Sequence, residues 1–270
     1  MSAVLGRIAG SLALLAAMVG VYVFCVRTVR GQDLDERAFL TLRGTGAHND
    51  LPSEVGLGSV TDPRLWLVAV AAIIVLGLLA RRRLSIIALL VIPVVVILLA
   101  RLLRDVVLLR PDLINSQFPD ANTFPSGHAA AAAGCVAAIV RAAPRPLQPL
   151  IVAAGAMWLT LVSQDLMVWG WHRPSDLVGS ILLAVAVVMV VPNSRTTLVG
   201  TPLHAITLAV VASLPPLAWS IYIGKPVVAA VGICAAAALS VLLLGTRTRR
   251  RAPEEFVPQT YPVHDEVYAR

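Results

Sequence analysis

The chain has 270 residues, is 58% hydrophobic and only 14% charged, and carries a formal net charge of +7. A mean hydropathy of +0.82 excludes an ordinary water-soluble globule. The basic balance follows from membrane topology, as argued below, so nucleic-acid binding by the basic tail is not expected.

Charge-free stretches recur at residues 8–26, 65–80, 84–100, 146–164, 177–194, 205–224 and 226–246. Each is near the roughly 20 residues that cross a hydrocarbon core. A shorter stretch, 127–140, is rich in alanine and glycine and scores worst alone, but an even number of crossings requires it. The pattern predicts an all-α polytopic bundle of eight spans, with six or seven as the alternatives. Arg81-Arg82-Arg83, Arg141 with Arg145, Arg195, and Arg247 with Arg249-Arg250-Arg251 fall in every second connection. Cytoplasmic loops carry that excess, and Arg7 puts the amino terminus on the same side. Segments 27–64, 104–127 and 165–176 then face the extracytoplasmic side.

The first span has no small-x-small cleavage site and reads as a retained anchor. Cys25 follows Phe24, a poor fit to a lipoprotein processing site. Cys25, Cys135 and Cys234 each sit in a different apolar stretch, as small core residues do, with neither disulfide nor metal-ligand spacing. Segment 27–64 mixes Asp33, Asp35, Glu36, Arg37 and Arg43 with Leu34, Phe39, Leu40 and Leu42, which predicts a short helix lying at the headgroup level. Gly44, Gly46, Gly56 and Gly58 mark a loop before Pro63, with His48 solvated. Pro93 interrupts the third span, which neighbouring helices tolerate in a membrane. Arg101 and Arg104 lie three apart on one helical face; alone, either reads as a snorkelling arginine. Arg110-Pro111 then stops the helix and brings three guanidinium groups to one corner. No internal repeat is evident. The tail at 245–270 is basic, then proline-dotted, and is expected to be disordered.

The polar residues of the outer face are of types that fit one chemistry. Ionisable groups near membrane spans are functional candidates by default. Pro125-Ser126-Gly127-His128 opens the alanine-rich fourth span, where free backbone N–H groups and the helix dipole favour an anion. Gly127 leaves room for a phosphate, Ser126 caps or donates, and His128 is placed for proton transfer. His172 and Asp176 are four apart and face each other if that turn is helical. The carboxylate would fix the tautomer and leave the other ring nitrogen to attack phosphorus. The plainer account of both is a capped helix start beside a satisfied histidine.

The order arginine-proline, Pro-Ser-Gly-His and His-x-x-x-Asp resembles the type 2 phosphatidic acid phosphatase family, which shares its phosphate pocket with vanadium haloperoxidases. The resemblance covers roughly residues 8–191, a six-helix core, and leaves two further spans at 192–244 and the tail outside it. It implies hydrolysis of a lipid phosphate or diphosphate through a phosphohistidine, with no metal and no cofactor. Carried over, His172 is the nucleophile, Asp176 its orienting partner and His128 the general acid. Arg110, Ser126 and Gly127 hold the phosphoryl oxygens. The implied partners are a lipid phosphate and the bilayer.

Two positions depart from the family pattern. Its first motif has a lysine, then six residues, then Arg-Pro; counting back from Arg110, this chain has Leu103 at the lysine position, with Arg104 one position later. Arginine replaces lysine there with altered geometry. Its third motif has Ser-Arg where this chain has Asp165 and Leu166, so a phosphate-binding arginine is missing and Arg173 is the candidate substitute. Phosphoryl transfer to a second substrate would use the same pocket. A carrier that binds anionic lipids and has lost the chemistry is the alternative that the missing arginine motivates. A secondary transporter would instead gather its ionisable groups at midplane. Polyprenyl diphosphates and phosphatidic acid-type lipids are both candidate substrates. The composition, rich in alanine, valine and arginine, points mildly to a GC-rich bacterium and so to a polyprenyl carrier and a plasma-membrane location.

Overall fold

The structure, a computed structural model, describes residues 2–48, 54, 59, 62–81, 83–116, 122–191 and 202–244. The expected tail at 245–270 lies outside them. Nine α-helices form within these residues: α1 (Ser2–Arg27), α2 (Val29–Leu40), α3 (Arg64–Leu79), α4 (Arg83–Leu102), α5 (Gly127–Ala142), α6 (Gln148–Val168), α7 (Pro174–Val190), α8 (Pro202–Tyr222) and α9 (Pro226–Val241). The fold is an all-α helical bundle, as the charge-free stretches predict. Four helical segments are long and apolar enough to cross a membrane, Val4–Arg27, Ser85–Val107, Arg145–Val168 and Pro202–Tyr222. Helices α3, α5, α7 and α9 are apolar but shorter; at 16–17 residues each runs about 24–26 Å. These long apolar helices are those of an integral membrane protein.

Helices α5 and α7 pack against each other at the centre, with α1 on α7, α3 and α4 on α5, and α6 and α9 closing the other side. The weak hydropathy of 127–140 now has a cause. Ala129, Ala130, Ala133, Ala137 and Ala138 are buried between helices, where small side chains let backbones approach and lipid contact is not needed. At Gly134 an added Cβ would stand 3.1 Å from the Pro93 Cα. Helix α4 runs unbroken through Pro93. At the far end, the buried Arg141 gathers carboxyl-terminal carbonyls: Nη1 donates to Leu242 O at 2.7 Å, and Nη2 to Met189 O at 3.3 Å and Val191 O at 3.4 Å. A cation there satisfies orphan carbonyls of α7 and α9 at once.

The predicted interfacial helix exists as α2, but its polar face turns inward. Gln32, Asp35, Glu36 and Phe39 are buried, while Leu34 is 49% and Leu40 42% exposed. The physical reason is that Arg110, Arg173 and the free N–H groups at the start of α7 offer those acids partners. His48, expected to be solvated, is partly exposed, with its ring 4.6 Å from that of Trp169. The three cysteines are free and half-buried.

Candidate active site

The site is built where the amino termini of α5 and α7 meet the carboxyl end of α4. Ser126 caps α5, its Oγ accepting from Ala129 N at 3.2 Å. The Ser126 N–H donates to Asp176 O at 3.3 Å, and Ser180 Oγ lies 2.9 Å from Ser126 O and 2.6 Å from Asp176 O. The two helix starts are thus held together. Phe124, joined to Pro125 by a cis bond, packs where an added Cβ on Gly179 would come within 2.5 Å of its ring. In α7 the Asp176 carboxylate accepts from the Arg173 N–H at 2.8 Å, the acidic half of a capping box. Gly170, at φ +77°, makes the turn that returns the chain from α6 to His172; a side chain there would be strained.

His172 is buried, with Nδ1 3.7 Å from Asp176 Oδ2. That is an ion-pair distance, longer than a hydrogen bond. The His128 ring lies 6.1 Å from the His172 ring and 5.5 Å from the Trp171 ring. Both histidines line one cavity of about 740 Å³, with Arg101, Arg104, Asp105 and Gly127. An added Cβ on Gly127 would meet nothing within 4 Å, so that side of the motif is open space. From His128 the cavity continues as an apolar furrow over α5, past Ala132, Cys135 and Ile139, between Trp66 of α3 and Trp158 of α6.

The arginines separate into two layers. Arg101 and Arg104 stand on the cavity wall; Arg104 Nε also pairs with Asp105 Oδ1 at 2.7 Å. A π-helical turn, Leu103–Val107, follows α4, and Asn122 donates to the carbonyls of Arg104 and Leu108. Such turns frequently occur at functional sites. Arg110 lies deeper, Nη2 at 3.7 Å from Asp35 Oδ2 and Nη1 at 3.8 Å from Asp176 Oδ1. Its backbone segment is pinned by Tyr22, which donates to Leu109 O at 2.7 Å, and by Gln32, which donates to Pro111 O at 2.6 Å. Arg173 is buried and turned to α2: Nε donates to Glu36 Oε2 at 2.7 Å and Nη2 to Ser116 Oγ at 2.9 Å.

Asp35 and Glu36 are the functional-looking residues that motif reasoning missed. Asp35 accepts from Ser175 N at 2.9 Å and from Ser175 Oγ at 2.6 Å, capping α7 from another helix. Burial pushes its carboxyl up to about 6; the Asp176 charge adds to this, while the Ser175 bonds and Arg110 oppose it. The available signal was the spacing Gln32, Asp35, Glu36, Phe39, one stripe of a helix. Among the described residues no group of three His, Cys, Asp or Glu side chains is arranged to hold a metal ion.

Comparison with curated proteins and with solved structures gives no match. Residues 105–199 match the family model of the PAP2 superfamily, which indicates a phosphatase of the membrane lipid phosphatase type. Arg110-Pro111, Pro-Ser-Gly-His and His172 with Asp176 all fall inside that segment, so the chain carries a PAP2 superfamily segment, as the resemblance to type 2 phosphatidic acid phosphatases implies.

Proposed function

We propose that the protein hydrolyses a lipid phosphate or polyprenyl diphosphate at the extracytoplasmic face of a bacterial plasma membrane. The observation that carries this reading is that two histidines 6.1 Å apart face one cavity whose other end is an apolar furrow fit for a chain. With Asp176 beside Nδ1, His172 Nε2 attacks phosphorus. The P–O bond to the lipid alcohol breaks (in a diphosphate, the bond to the lipid monophosphate), and His128 gives its proton to the departing oxygen. Water then attacks the phosphohistidine, His128 takes a proton from it, and the P–N bond breaks to release phosphate and restore His172. Arg104, Arg110, Gly127 and the capped start of α5 at Ser126 stabilise the charge on the transferring group. No metal takes part in this scheme. The amino-terminal 191 residues form the catalytic core, and α8 and α9 are additions to it.

Brief exposure of the purified protein to a radiolabelled lipid phosphate, followed by alkaline quenching, tests the covalent step. An alkali-stable, acid-labile label on the wild type, absent from His172→Ala, is the expected result. A label that survives in His172→Ala, or turnover at the normal rate by that variant, overturns the mechanism. Retention of label with no release of inorganic phosphate, and its passage to an added alcohol as a phosphate ester, would instead identify a phosphotransferase.

A further inference from the structure

We propose that Asp35 sets how tightly this pocket holds a phosphate, because its carboxylate competes with the bound anion for the charge of Arg110. The proposal rests on the reading of the pocket as a phosphate site. The Arg110 side chain is 9% exposed and lies between Asp35 and Asp176 at 3.7 and 3.8 Å, beyond hydrogen-bond reach of either. Its Nη1 is buried with no hydrogen-bond partner among the described residues. A buried guanidinium nitrogen left in this state is held by charge alone, and a better acceptor entering the pocket gains from it.

The surrounding charges make Asp35 the group that decides. Asp35 is faced by Cys25 of α1, by Arg110, and by Ser175 and Asp176 of α7. Its neighbour Glu36 is taken up by Arg173. With all of them ionised, two guanidinium groups stand against three carboxylates, a poor reception for an anion. Protonating Asp35 balances the cluster and leaves Arg110 to Asp176 and the phosphate. Asp176 is tied to the helix start and to His172, since it accepts from the Arg173 N–H and lies 3.7 Å from the His172 Nδ1. Asp35 also carries the raised carboxyl described above, near 6. By linkage, phosphate binding and protonation of Asp35 then favour each other. Affinity falls as pH rises through the region near 6 and Asp35 ionises.

The test is calorimetric titration of inorganic phosphate into the detergent-solubilised full chain, wild type and Asp35→Asn, from pH 5 to pH 8. Asparagine keeps the size and an acceptor for Ser175 and removes the charge. The ionisation of phosphate is common to both proteins, so the ratio of their Kd values reports Asp35 alone. The expected ratio, wild type over variant, is close to one at pH 5 and about tenfold at pH 8. A ratio that does not change with pH, or a wild type that binds more tightly than the variant at pH 8, overturns the proposal. Should Asp35→Asn fail to fold, Ser175→Ala replaces it: losing the Oγ donor weakens the ionised form, so the fall in affinity should move to higher pH. An unmoved midpoint counts against the proposal. A wild type that binds no phosphate at any pH overturns the phosphate-site reading itself, a result distinct from a wild type that binds with a flat ratio.

Discussion

Arg173 Nε donates to Glu36 Oε2 at 2.7 Å, joining α7 to α2 through an ion pair buried at both ends. Removing one partner of such a pair typically costs about 3–5 kcal/mol, because the other charge is left unpaired in low dielectric. Arg173→Ala and Glu36→Ala should each lower the melting temperature in detergent. The double variant should lose less than the sum of the two. A fall in turnover of tenfold or more at unchanged melting temperature would make Arg173 a phosphate ligand.

His128→Ala should slow esters with poor leaving groups far more than those with good ones, since an acid matters least when the departing oxygen is already stable. The measurement is turnover of an alkyl and an aryl phosphate by the same preparation. Equal slowing of the two would remove His128 from the leaving-group step.

Arg104 stands on the cavity wall with His128 and His172. Loss of a charged hydrogen bond to phosphate is worth about 1.5–3 kcal/mol, or roughly tenfold to more than a hundredfold in rate. Arg104→Ala should show that loss on a short-chain soluble substrate, and Arg104→Lys should recover part of it, keeping charge without the planar fork. An unaffected rate would make Arg104 a headgroup contact.

Alternating arginine content predicts sidedness. In a chain freed of its own cysteines, single cysteines at 37 or 115 should label from outside intact cells, and one at 81 should not. Labelling at 81 from outside would invert the topology.

Asp35 also ties stability to pH. Its carboxyl is raised from 3.8 to about 6 in the folded chain, so the fold favours the protonated form. That contribution is fully present below about pH 4 and is lost as pH rises through 6. Wild type should therefore lose stability relative to Asp35→Asn between those values, by roughly 2–3 kcal/mol. Parallel melting curves across that range would refute it.

The helices were legible because charge-free runs of bilayer length leave little choice, and the motif residues were legible because few polar groups interrupt them. What escaped were partnerships across long sequence distances. Asp35 and Glu36 look like any solvated pair on a short amphipathic helix until the start of α7, 140 residues away, supplies donors. Asn122 and Gln32 act on carbonyls, and no side-chain motif announces a carbonyl. The segment beyond 192 lies outside the resemblance, and its seat on the core rests on such partnerships: Trp219 donates to Gln164 Oε1, Gln164 donates to Ala47 O, and Lys225 donates to Thr41 O, at 2.6, 2.6 and 2.7 Å. Those bonds clasp the chain just after α2.

The furrow over α5 is bordered by Val68, 62% exposed, a side chain that in a bilayer meets lipid tails. An amphiphile seated there would come in sideways from its own leaflet, never leaving the two-dimensional phase in which it diffuses. Its effective concentration is then a mole fraction in the surface, so diluting the substrate lipid with inert lipid should slow the reaction even when the amount in the tube is unchanged.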